Sequence, residues 1–114
     1  MSVKLFKATR NWSAWRPVIG ELNDRGLEVF SVIQPADVSI ALSGKFEDPL
    51  ALHGKRVLFM YSMEWNTHPG QGEWFKELLG HYYHEVHDLA GCLPMQAADA
   101  IEEYVTKCSK TANS

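Results

Sequence analysis

With 114 residues and 46% hydrophobic content, the chain has the size of one domain that buries its own core without staples. Eleven Lys and Arg against 14 Asp and Glu leave a net charge of -3, and no basic run could neutralise several phosphates, so nucleic acid is not expected as a partner. No window approaches the roughly 18 apolar residues of a membrane span, and Met1-Ser2-Val3-Lys4 does not open a signal peptide.

The first element is an apolar run, Val3 to Ala8, read as a strand. A helix follows, with Asn11 or Ser13 as its cap, Pro17 inside the first turn, and Trp15, Val18, Ile19 and Leu22 recurring at helical spacing. Gly26 supplies its stop, and the β-branched run Leu27 to Ile33 reads as a second strand. Strand, helix and strand in this order form a βαβ unit with parallel strands, which places the chain among small α/β folds.

Residues 37–42 alternate apolar with small or polar side chains, which favours a strand, although Pro35 and Gly44 also suit a short helix. If 37–42 is a strand parallel to its predecessor, residues 34–36 are too few for a crossover of about a dozen residues. Residues 45–55 read as a surface connection ending in the turn His53-Gly54-Lys55. Arg56 to Ser62 carries five consecutive apolar residues and reads as a central strand buried on both faces.

A polar, glycine-containing loop, Met63 to Gly72, leads into an expected helix from Glu73 to Ala90 with Phe75, Leu78, Leu79, Tyr82, Val86 and Leu89 on one stripe. Gly91 to Pro94 break it, and a last helix over Met95 to Lys107 buries Ala98, Ile101 and Val105 or Tyr104. The expected fold is a single-domain α/β, Rossmann-like (flavodoxin-like), mostly parallel sheet of about four strands over residues 1–108, with 109–114 a frayed tail.

No complete catalytic or cofactor motif appears. His81, His84, Glu85 and Asp88 would share the solvent face of the long helix with His87 on its flank, but a zinc site needs three or four ligands and no second cluster joins them. Neither Ser43 nor Ser62 sits in a Gly-x-Ser-x-Gly elbow, and the first turn, Ala8 to Ser13, lacks the glycines that let a backbone approach a pyrophosphate. Cys92 and Cys108 form no Cys-x-x-Cys pair and read as reduced thiols of a cytoplasmic protein. No metal and no cofactor is expected.

Position raises one group of residues above the rest. In open parallel sheets ligands bind beyond the carboxyl ends of the strands, where Arg10, Asn11, Trp12, Ser43, Glu64, Trp65 and His68 would gather. Cations, amides, a hydroxyl and aromatic faces suit a sugar, a nucleotide or a partner peptide. Glu64 and His68 share the loop after the most buried strand and could in principle serve as acid and base, but they read more simply as polar loop residues.

The stretch "ELNDRGLEVFSVI", Glu21 to Ile33, resembles the Leu-x-x-x-Gly-His-Glu-Val-x-Val segment that ends the first βαβ unit of glycosyltransferases with the two-domain B-type fold. "ADVSIALSGKFEDPLALHGKRVLFMYSMEW", Ala36 to Trp65, is similar to the Asp-Val-Val and Gly-Lys-Pro-Val-Val strands of the same N-terminal half. The resemblance covers residues 3–66 and implies an acceptor-side edge at Arg10, Asn11, Ser43, Glu64 and Trp65. Those enzymes bind their activated sugar mainly through a C-terminal domain, and they carry a glycine-rich first loop; neither is found in these residues, so catalysis by that route is not expected.

Two functions are therefore expected in turn. The first is a non-enzymatic protein-interaction or regulatory module, a description that a small viral host-acting protein would fit. The second is a sugar- or nucleotide-binding protein, or a minimal glycosyltransferase-like enzyme. Self-association into a dimer through a helix face is compatible with either.

Overall fold

A computed structural model describes residues 2–8, 13–43, 46–61 and 77–112, with side chains as far as Ser109. Within them the chain forms β1 (Val3–Lys7), α1 (Trp15–Asp24), β2 (Val29–Phe30), β3 (Val38–Leu42), a 3-10 turn (Pro49–Ala51), β4 (Lys55–Met60), β5 (Glu85–Asp88) and α2 (Pro94–Ala112). The five strands make one sheet in the order β2-β1-β3-β4-β5, and every neighbouring pair is parallel. The α/β class and the parallel βαβ opening read from the sequence are thus correct, with one strand more than expected.

α1 forms where the apolar spacing places it: Trp15, Val18 and Leu22 are fully buried and Ile19 packs beside them. Its start differs from expectation. Ala14 occupies the N-cap without a side-chain bond, and Ser13 contributes its carbonyl, which accepts from the Arg16 N–H at 3.2 Å. Its end follows the rule for glycine stops, because Gly26 takes φ +83° and the Leu27 N–H donates back to the Leu22 carbonyl at 2.9 Å.

Residues 38–42 are a strand, not a helix, and all five side chains are buried. The short connection before them is resolved by strand order. β3 pairs with β1, and β2 has only two residues at the sheet edge, so residues 31–37 need only cross two strand spacings of about 5 Å each, within reach of an extended chain. Phe30 of β2 and Ile33 of this connection cover the sheet face bearing Phe6, Ala41, Leu58 and Met60. On the opposite face α1 and α2 pack over Leu5, Ile40, Leu42, Val57 and Phe59.

β4 is buried on both faces from Val57 onward, as its unbroken apolar run requires. The Ser39 hydroxyl, fully buried on β3, donates to the His53 carbonyl at 2.7 Å and ties the β3–β4 connection down. α2 buries Ala97, Ala98 and Ile101 with Tyr104 and Val105 partly covered, and continues past Lys107. Arg25, at the end of α1, reaches across to it: its guanidinium lies 2.7 Å from Asp99 and 3.8 Å from Glu102, while Nε bonds Glu21 at 3.0 Å.

The expected helix over 73–90 does not extend beyond Leu79. Residues 62–76 lie outside the described residues; a helical turn spans 77–79, a turn follows Gly80, and 85–88 are strand β5. The apparent stripe ran across Gly80, and only Val86 of β5 is apolar, so β5 is held by pairing with Val57–Met60 and not by its own pattern. His81, His84, Glu85, His87 and Asp88 therefore do not line one helix. Among the described residues no group of His, Cys, Asp and Glu could hold a metal ion. Both cysteines are free thiols, set near opposite ends of α2 and about 20 Å or more apart, beyond disulfide reach. No helix among the described residues is long and apolar enough to cross a membrane.

Candidate functional site

Because all strands run the same way, the residues that follow β1, β3 and β4 leave from one rim of the sheet and from adjacent strands. Ala8, Ser43 and Tyr61 are those residues, each buried. The β1–β3 register pairs Lys7 with Leu42, which brings Ala8 and Ser43 side by side at the next step. From β1 the chain passes through α1 on the helical face, whereas from β3 it passes through the segment of Leu52 on the other face. The connections part between β1 and β3, which is the topological switch point of this strand order.

Of the predicted site residues, Ser43 is described and fully buried at that point. Arg10, Asn11, Trp12, Glu64, Trp65 and His68 lie outside the described residues. Sequence reasoning passed over Lys7, the half-buried last residue of β1 and a cation at the same rim; its place next to the end of the apolar run Val3 to Ala8 was the available signal. Trp15 and Tyr61 support the rim from below, ring edge to ring face at 5.0 Å. No protein-family model, curated protein or solved structure matches the chain.

A crevice of about 290 Å³ lies elsewhere, along the outer edge of β1, lined by Val3, Lys4, Leu5, Leu27, Phe30 and Val105. It opens because β2 covers only Leu5 and Phe6 of β1. Its lining is mainly apolar, and the Lys4 ammonium is already bonded to the Gln34 side chain at 3.3 Å.

A second polar cluster joins β4, β5 and α2. The Glu85 carboxylate is paired with the Lys55 ammonium, accepts from the Tyr104 hydroxyl at 2.7 Å, and lies 3.1 Å from His87 Nε2. His87 stacks on Phe59 with ring centroids 4.7 Å apart. The Lys55 contact, helped by Tyr104 and His87 against partial burial, holds the Glu85 carboxyl near pH 2 instead of its ordinary 4.5. Burial and the Glu85 charge together push the Tyr104 phenol well above its usual range. A carboxyl more acidic folded than unfolded stabilises the fold above its unfolded pKa and loses that contribution as pH falls through the folded one. Stability should therefore drop from about pH 4.5 to about pH 2 on this account. In denaturant titrations the gap between the native chain and Glu85→Gln should be largest at neutral pH and close across that window. A gap independent of pH would contradict the pairing.

Proposed function

We propose that the chain is a binding domain that engages a small polar ligand, of the sugar or nucleotide class, at the carboxyl rim beside β1 and β3. The observation that carries this reading is the all-parallel order β2-β1-β3-β4-β5, in which the connections leaving β1 and β3 diverge to opposite faces. Small side chains, Ala8 and Ser43, both buried, stand at the divergence. The segments that continue from β1 and from β4 carry Arg10, Asn11 and Trp12, and Glu64, Trp65 and His68: donors, an acceptor and flat aromatic surface for a polyhydroxylated or heterocyclic ligand. The resemblance of residues 3–66 to the acceptor half of B-type-fold glycosyltransferases supports a sugar. No complete catalytic set accompanies these groups, so the reading is one of binding.

A thermal-shift screen against nucleotides and nucleotide sugars tests it. A ligand at about 100 times its Kd adds roughly 2.7 kcal/mol, which for a domain of this size raises Tm on the order of 10 °C. The shift should vanish in Arg10→Ala and Trp12→Ala with the unliganded Tm unchanged; no shift from any member ends the proposal.

A second reading, a protein-interaction module, is favoured by Leu93 and Met95, which follow β5 and expose 66% and 55% of their surface. Under it, Trp65→Ala or Met95→Asp abolishes capture of a stoichiometric partner while the ligand screen stays silent. The two free thiols suit a reducing compartment such as the cytoplasm in either case.

A further inference from the structure

At the amino ends of β4 and β5 the ladder is continued by side chains in place of backbone. The His84 N–H donates to the Arg56 carbonyl at 2.8 Å, one residue before Glu85, which the register of Val57 with Glu85 would place opposite that carbonyl. In that register the Arg56 N–H would ordinarily donate to the Tyr83 carbonyl. Instead, the Arg56 N–H donates to His84 Nδ1 at 3.0 Å, and the Tyr82 carbonyl accepts from Arg56 Nε at 2.8 Å. An imidazole nitrogen has replaced a backbone carbonyl as acceptor, and the Arg56 guanidinium holds the carbonyl one residue earlier.

Nδ1 accepts a hydrogen bond only when the ring is neutral with its proton on Nε2. We propose that His84 is a pH-sensitive latch on the start of β5, closed by the neutral ring and opened by its protonation. When protonated, Nδ1–H confronts the Arg56 N–H beside the Arg56 guanidinium. The charged and titratable groups on the packed elements are Lys55 and Arg56 from β4, Glu85, His87 and Asp88 from β5, and His81, Tyr82 and Tyr83 from the preceding turn. Glu47, from the β3–β4 connection, acts on Tyr83. Glu85 is taken up by Lys55, Tyr104 and His87, and His84 makes no ion pair among the described residues that would offset the lost bond. The latch spans Tyr83, buried against the sheet with Leu79 in the cluster of Phe6, Leu58 and Met60. Opening it loosens the seat of that ring.

The test is amide exchange of the whole chain, read as the protection factor of the Arg56 N–H from about pH 8 to about pH 5, the span in which histidines change charge. Protection should fall roughly two- to tenfold, the value of one net hydrogen bond, and ring-nitrogen NMR should find the Nε2–H tautomer at the upper end. His84→Asn, whose Oδ1 accepts at the position of Nδ1 without titrating, should hold protection flat, and His84→Ala should be low throughout. A flat profile in the native chain, or an equal fall in His84→Asn, would overturn the latch.

Discussion

Replacing Trp15 with alanine should cost about 3–5 kcal/mol, the range for removing a large aromatic from a packed core. The indole is fully buried on the first turn of α1, packs in the cluster of Leu5, Ile40 and Leu42, and meets the Tyr61 ring at 5.0 Å and 70°. Domains of this size are held by about 5–15 kcal/mol in all, so the variant should sit at the edge of unfolding. Denaturant titration reads the loss directly, and Trp15→Phe, which retains most of the apolar contact, should recover a large part of it. A loss below about 1 kcal/mol would mean that the helix is not seated through this ring.

Gly54 should prove nearly as intolerant, for a different reason. It adopts φ +67°, and an added Cβ would strike the Asp37 carbonyl oxygen while lying 2.6 Å from Asp37 C and 2.7 Å from Ala36 O. These are backbone atoms, and the same Asp37 carbonyl accepts from the Lys55 N–H at 2.9 Å, so neither side can swing away. The left-handed backbone alone costs about 1–2 kcal/mol for a residue with a side chain, and the collision adds to it. Gly26, at φ +83° with nothing near its Cβ position, separates the two causes. Gly26→Asn should be tolerated better than Gly26→Ala, since asparagine accepts the left-handed region. Gly54→Asn should be as damaging as Gly54→Ala, since both carry the colliding atom. Equal melting temperatures for Gly54→Ala and Gly26→Ala would remove the steric argument.

Much of the architecture could be read in the residues, and the misses share a cause. Val3–Lys7, the Trp15–Leu22 stripe and the apolar run of β4 each bury a side-chain set whose period states the element. β5 could not be read that way. Glu85, Val86, His87 and Asp88 hold one apolar side chain, and what makes them a strand is the exposed edge of β4, the Phe59 ring under His87 and the Lys55 ammonium beside Glu85. These partners are distant in sequence and leave no local trace. The shortness of β2 likewise follows from where β3 pairs, not from Leu27 to Ile33 themselves. For the candidate site, the common rim follows from parallel strands alone, whereas the importance of Ala8 and Ser43 depends on β1 and β3 being neighbours. Strand order is a property of the assembled sheet.

The central place of β1 has a consequence for how the molecule comes into being. The first of these five strands to be made is flanked on one side by β2 and on the other by β3, whose last residue is Leu42. Until that residue has left the ribosome, Leu5 and Phe6 have no complete sheet to join, and the helix that seals Leu5 from above, α2, is made after all five strands. Assembly of such a sheet is governed by the arrival of distant partners. A nascent chain stopped before residue 38 should accordingly expose a sticky amino-terminal segment that chaperones would shield.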